Sequence, residues 1–124
     1  MTARRIKILI ILAVLVPLGF GFKYYAGPGH AWFNLHGAGV LYEIFWCLCV
    51  FFFFNTRRNI PVIATAVFIV TCGLEFMQLW HHPVLEAIRS FPAGVWLIGN
   101  GFDWLDFPHY ALGCALGWVI MKKL

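Results

Sequence analysis

Four apolar runs, 6–22, 35–54, 60–80 and 104–121, set the terms for this chain, because basic residues flank them and each is close to the length that crosses a bilayer. A helix rises about 1.5 Å per residue, so roughly 20 residues cover the hydrocarbon core. Of the 124 residues, 62% are hydrophobic and 11% charged, whereas a soluble domain carries about a quarter charged residues. So small a soluble core could not hide that much apolar surface. The expectation is an all-α membrane protein: a compact four-transmembrane-helix bundle, forming a single domain over 1–124 with the lipid bilayer as its first partner.

The net charge of +4 does not describe a nucleic-acid patch. Arg4, Arg5 and Lys7 stand at the start, Arg57 and Arg58 in the middle, and Lys122 and Lys123 at the end, all in the gaps around apolar runs. Charge placed this way sets topology. With the Arg57-Arg58 turn read as cytoplasmic, seven Lys/Arg lie inside against Lys23 and Arg89 outside, which puts both termini in the cytoplasm. Nucleic-acid binding is excluded.

The first run has the form of a signal peptide with a weak cleavage site at Gly29-His30-Ala31, but it is read as a retained membrane helix. Pro17, Gly19 and Gly21 are expected to kink or fray its outer end before the interfacial Lys23-Tyr24-Tyr25, and 26–29 is a turn by composition. Pro61 suits the first turn of the third helix. The stretch 81–103 between the third and fourth helices falls on the outer face. Residues 84–91 read as a short amphipathic helix, and 91–102 as an interfacial or re-entrant segment too short to span. Cys47, Cys49, Cys72 and Cys114 all fall inside apolar runs and read as buried small hydrophobes.

The polar residues are more informative. The second run places His36, Gly39, Glu43 and Trp46 at helical spacing; the third places Thr71, Glu75, Gln78 and His82; the fourth places Asp106, Tyr110, Gly113 and Gly117. Three such stripes should face one another rather than lipid. Counting rise per residue, Glu75 lies roughly 7 to 8 Å below the outer boundary and Glu43 roughly 12 Å down, with Asp106 at the surface. A carboxylate at helix centre costs about 2.5 to 3.5 kcal/mol to insert. Glu43 is therefore expected to be protonated or hydrogen-bonded to a neighbouring helix, and His36 to be buried with it. Glu75 has a possible partner in Arg89. Glu75, Gln78, Arg89, Asp106 and Tyr110 form the candidate ligand-binding group.

His30, His81, His82 and His109 suggest a metal, but no His-x-x-x-His or Cys-x-x-Cys spacing is present, so no metal site is assigned. His36 and His109 are the residues a haem or pigment would use, although no cofactor is strongly implied. No nucleophile triad or phosphate loop can be read, and no catalytic residue is assigned. Gly113 and Gly117 make a small-x-x-x-small pair suited to close helix approach, within the monomer or across a homo-oligomer.

The combination Glu75-x-x-Gln78-Leu79-Trp80, Arg89, Gly99-x-Gly101-Phe102-x-Trp104-x-Asp106 and Tyr110-x-x-Gly113 resembles a group of small bacterial membrane proteins known as domain of unknown function 2809, distantly similar to VanZ-like proteins. The resemblance extends over nearly the whole chain, including the Tyr25-x-Gly-Pro-Gly turn. It implies a four-helix bundle in the bacterial inner membrane. Through the VanZ-like proteins, which are linked to glycopeptide resistance, it implies work at the cell envelope.

Three readings follow. The leading one is a non-enzymatic protein whose outer-leaflet polar pocket binds a lipid headgroup or envelope ligand. The second is an accessory subunit of a larger membrane complex, respiratory, photosynthetic or envelope. The third is a membrane-embedded enzyme using Glu75 or Asp106 as acid or base.

Overall fold

The computed structural model describes residues 2–77, 83–94 and 104–124, and every regular element among them is helical. Helix α1 covers Ala3–Tyr24. It begins where the Thr2 hydroxyl accepts the Arg5 amide at 3.3 Å, the usual capping of an orphan donor. Contrary to the expected fraying, it continues through Pro17 and both glycines to Tyr24. One reason is visible at its end: Asn34 reaches back and donates its amide to the carbonyls of Phe22 at 2.8 Å and Tyr25 at 3.0 Å, groups that a helix terminus leaves unsatisfied.

The second run starts earlier than its hydropathy suggests. A short turn α2 (His30–Trp32) passes into a π-helical turn (Phe33–Gly37) and then into α3 (Ala38–Phe53). The Phe33 ring packs edge-on against Phe22, Tyr25 and Trp32, at centroid distances of 5.0, 4.9 and 5.2 Å. These contacts hold the wide turn against the end of α1. After a 3-10 turn (Arg57–Asn59), α4 covers Ile60–Met77, with Pro61 in its first turn, where a missing N–H is harmless. Next come α5 (Pro83–Arg89) and a final helix, α6, from Asp106 to Lys123. The re-entrant reading of 91–102 falls, beyond residue 94, outside the described residues, as do Gln78, His81 and His82.

Helix α3 is central and packs against α1, α4 and α6, while α4 also packs on α6. Helices α3 and α6 run in the same direction: Asp106 meets His36, Gly113 meets Glu43, and Gly117 meets Cys47. Contact is close because a Cβ added at Gly113 would sit 2.6 Å from Glu43 Cβ and 2.8 Å from the Val40 carbonyl, and one at Gly117 3.0 Å from Cys47 Cβ. At the opposite end, Arg4 donates to Asn55 Oδ1 at 3.1 Å and Arg5 to the Phe52 carbonyl at 3.0 Å. Arg5 also lies 5.6 Å from the Phe52 ring centre, within cation–π range. Arg4, Arg5, Arg57, Arg58 and the Lys122-Lys123 end of α6 are thus gathered at one end of the bundle, around an apolar plug of Ile8, Leu48, Phe51, Ile60 and Met121.

Two stretches, Ala3–Tyr24 and Arg57–Met77, are long and apolar enough to cross a membrane. Helix α3 is apolar but shorter, and α6 carries Asp106, His109, Lys122 and Lys123 within its 18 residues.

Candidate functional site

The three polar stripes meet along one seam between α3, α4 and α6. At its deepest level the Glu43 side chain is fully buried, with a relative exposure of 0%. Its Oε2 lies 3.0 Å from the Thr71 hydroxyl and 2.9 Å from the Cys114 thiol, which donates to it. Thr71 also sits 2.8 Å from the Val67 carbonyl and 3.0 Å from that of Phe68, so three oxygens compete for one hydroxyl proton. Glu43 Oε1 is buried and accepts no hydrogen bond from a described residue. Gly113 is what makes room for Glu43, since any side chain there would occupy the space of the glutamate's own Cβ and Cγ.

One turn outward, the Tyr110 hydroxyl donates to Glu75 Oε2 at 2.9 Å. Glu75, like Glu43, is fully buried. The Tyr110 ring rests on Gly39 of α3, where an added Cβ would lie 3.5 Å from it. One turn further, the π turn presents His36, whose Nδ1 faces Asp106 Oδ1 at 3.2 Å, both side chains being largely shielded. The His36 ring stacks on His109 at 4.3 Å between centroids and 15° between planes. His109 accepts the Trp32 indole N–H through Nε2 at 3.1 Å and donates through Nδ1 to the Leu105 carbonyl at 2.7 Å. That pattern fits one neutral tautomer and engages both ring nitrogens, which leaves His109 no lone pair for a haem or metal. Among the described residues no group of three His, Cys, Asp or Glu side chains could hold a metal ion.

Arg89 lies at the C-terminal end of α4 with a side-chain exposure of 6%. It donates to Glu86 at 3.1 Å and to the Met77 carbonyl at 3.0 Å, so the described partner of this guanidinium is Glu86, and that of Glu75 is Tyr110. The structure therefore joins Glu75 to Tyr110 and Asp106 to His36, and anchors Arg89 on the end of α4. Gln78 lies outside the described residues.

Two participants escaped the sequence reading. Cys114, taken as a small apolar residue, is a hydrogen-bond donor to Glu43. Its signal was its place, one helical turn after Tyr110 on the polar stripe. Trp32 binds His109 from before the π turn, where the periodicity of the second run gives no guide.

These features define a class: a protein, helical in every regular element of its described residues, in which Glu43, Glu75 and Asp106 are held by Thr, Tyr, His and Cys from neighbouring helices. Residues 29–114 match the model of a family described as Protein of unknown function (DUF2809), and the chain belongs to that family. No solved structure matches it.

Proposed function

We propose that the chain is an integral membrane protein in which α1, α2–α3, α4 and α6 each cross the bilayer. The carrying observation is that polarity is reversed relative to a soluble protein. Exposed side chains include Ile10, Val14, Phe53, Val62, Ile69, Val70, Leu112 and Val119, whereas Glu43, Glu75 and Thr71 are buried. Water would oppose both halves of that arrangement, and hydrocarbon favours both. The low hydropathy of α6 comes from its inward Tyr110, Gly113 and Gly117 and its terminal lysines, while Leu112, Leu116 and Val119 face outward. Both termini lie with the arginine-rich end in the cytoplasm, and the membrane is the bacterial inner membrane. Fusions of a cytoplasm-active and an export-active reporter after Ser90 and at each terminus test this. Export activity after Ser90 alone is expected, and export activity at either terminus overturns the topology.

The function proposed for the seam is to bind the headgroup of a lipid or another envelope ligand at its extracytoplasmic end, through Glu75, Arg89, Asp106 and Tyr110, with Gln78 assigned to the group from the sequence alone. Arg89, oriented by Glu86 and the Met77 carbonyl, is the anion contact; Tyr110 and His36 hold the two carboxylates in place. Envelope work is also what the VanZ-like resemblance points to. Complementation of a deletion strain challenged with envelope-active antibiotics tests the reading. Glu75→Gln and Arg89→Ala, each verified as inserted, should fail to complement; full complementation by both removes the pocket.

A second reading is favoured by the exposed aromatic side chains Phe53, Phe54, Phe91 and Trp104. They suit packing against further membrane helices, as in an accessory subunit of a larger complex. Purification in mild detergent followed by mass determination separates the two: a stoichiometric partner chain supports the subunit, and an isolated monomer or homo-oligomer opposes it.

A further inference from the structure

Helices α1 and α3 lie side by side without closing fully along their outer halves. Between them runs a groove of about 380 Å³, walled by Gly19 and Phe20 of α1 and by Tyr42 and Trp46 of α3, with Ala93 and Lys23 among its lining residues. Lys23 is half-buried, and among the described residues no carboxylate or carbonyl bonds its ammonium. Arg4, Arg5 and Arg89, by contrast, each have a protein acceptor. An unmatched cation beside an otherwise hydrocarbon-lined slot calls for an occupant that is anionic at one end and apolar along its length.

The lining and its cation, Lys23, point to the kind of occupant. From Leu15 to Lys23 the α1 wall covers eight residue steps, about 12 Å. A single hydrocarbon chain can lie along a slot of that length, and the ammonium of Lys23 at its end is matched by an anionic head. We infer that the groove seats one acyl chain of an anionic lipid with its phosphate against Lys23. This rests on the membrane-spanning reading above and is independent of the pocket at Glu75. The aromatic pair Tyr42 and Trp46, packed edge-to-face at 6.1 Å, supplies apolar ring surface to the slot.

The test uses the full chain in nanodiscs of equal phosphatidylglycerol and phosphatidylcholine, released into a mass spectrometer that counts retained lipids by headgroup. One lysine near an anionic surface contributes about 1 kcal/mol, or about a fivefold preference. The wild-type chain should retain phosphatidylglycerol over phosphatidylcholine, and Lys23→Gln should lower that preference about fivefold. Gly19→Leu puts a side chain into the groove from a position where an added Cβ meets no atom within 4 Å, and it should release the bound lipid whatever its headgroup. Gly21→Leu is equally open but does not line the groove, and it should match wild type. A membrane-integral chain in which Lys23→Gln and Gly19→Leu both retain phosphatidylglycerol as wild type does overturns the inference alone. So does a partner polypeptide occupying the groove in place of lipid. A chain that stays soluble without detergent overturns the spanning reading beneath it.

Discussion

Gly113→Ala adds one methyl group at the tightest point between α3 and α6. That carbon would lie 2.6 Å from Glu43 Cβ and 2.8 Å from the Val40 carbonyl, whereas relaxed carbon contacts fall at about 3.5 to 4.0 Å. The neighbours are a backbone carbonyl and the first carbon of a fully buried side chain, so no rotamer change relieves the clash. The helices must separate by about 1 Å, and overpacking of this kind costs about 1 to 3 kcal/mol. Separation also stretches the 2.9 Å bond from Cys114 to Glu43, a further loss on the order of 1 kcal/mol. Against this stands the helix-propensity gain of Ala over Gly, up to about 1 kcal/mol. The net expectation is a loss of about 2 kcal/mol. Gly73→Ala on α4 is the matched control, because an added Cβ there meets nothing within 4 Å and only the propensity gain applies. Gly117→Ala, at 3.0 Å from Cys47 Cβ and Sγ, should fall between them. Reversible unfolding in mixed micelles, followed by tryptophan fluorescence during titration with a denaturing detergent, gives the three values. If Gly113→Ala proves as stable as Gly73→Ala, the close α3–α6 approach is wrong, and with it the means by which Glu43 is accommodated.

In the same assay Tyr110→Phe should cost about 1 to 3 kcal/mol, because it strips the hydroxyl from a fully buried Glu75; no change would mean the carboxylate is satisfied without Tyr110. Thr71→Val should lose about 1 kcal/mol while Thr71→Ser stays near wild type, and equal losses would indicate packing rather than the bond to Glu43. Asn34→Ala frees the carbonyls of Phe22 and Tyr25, so hydrogen exchange across 22–37 should accelerate by about one to two orders of magnitude, matching about 1 to 3 kcal/mol. Unaltered exchange there would refute the role given to Asn34 in ending α1.

Much of the seam was legible in spacing alone. His36 and Glu43, Thr71 and Glu75, and Asp106 and Tyr110 recur at intervals that put each set on one helical face, and carboxylates on otherwise apolar helices are buried only where another polar face meets them. The order of depth followed from counting residues. Partner choice did not, because a one-dimensional pattern carries no rotation about neighbouring axes. Spacing offered Arg89 as a partner for Glu75, but it did not show that Tyr110 bonds to Glu75 or that Glu86 bonds to Arg89. The π turn was invisible for a related reason: it is selected by Phe33 and Asn34 packing onto the end of α1, a tertiary contact that local propensity does not encode. Pro17 misled in the other direction, since the carbonyls gathered by Asn34 hold the far end of α1 in place.

The wide turn at Phe33–Gly37 has a consequence for how this chain tolerates changes in length. It holds one residue more than an ordinary helical turn, so deleting a single residue within it would convert it to regular helix and leave the segments on either side facing nearly as they do now. Trp32 would stay on His109 and Glu43 on the seam, whereas deleting a residue from the regular helix on either side would turn one set about 100° away from the other. The insertion thus acts as a phase adjuster: it lets one rod of helix address α1 with its first turns and the carboxylate seam with the rest.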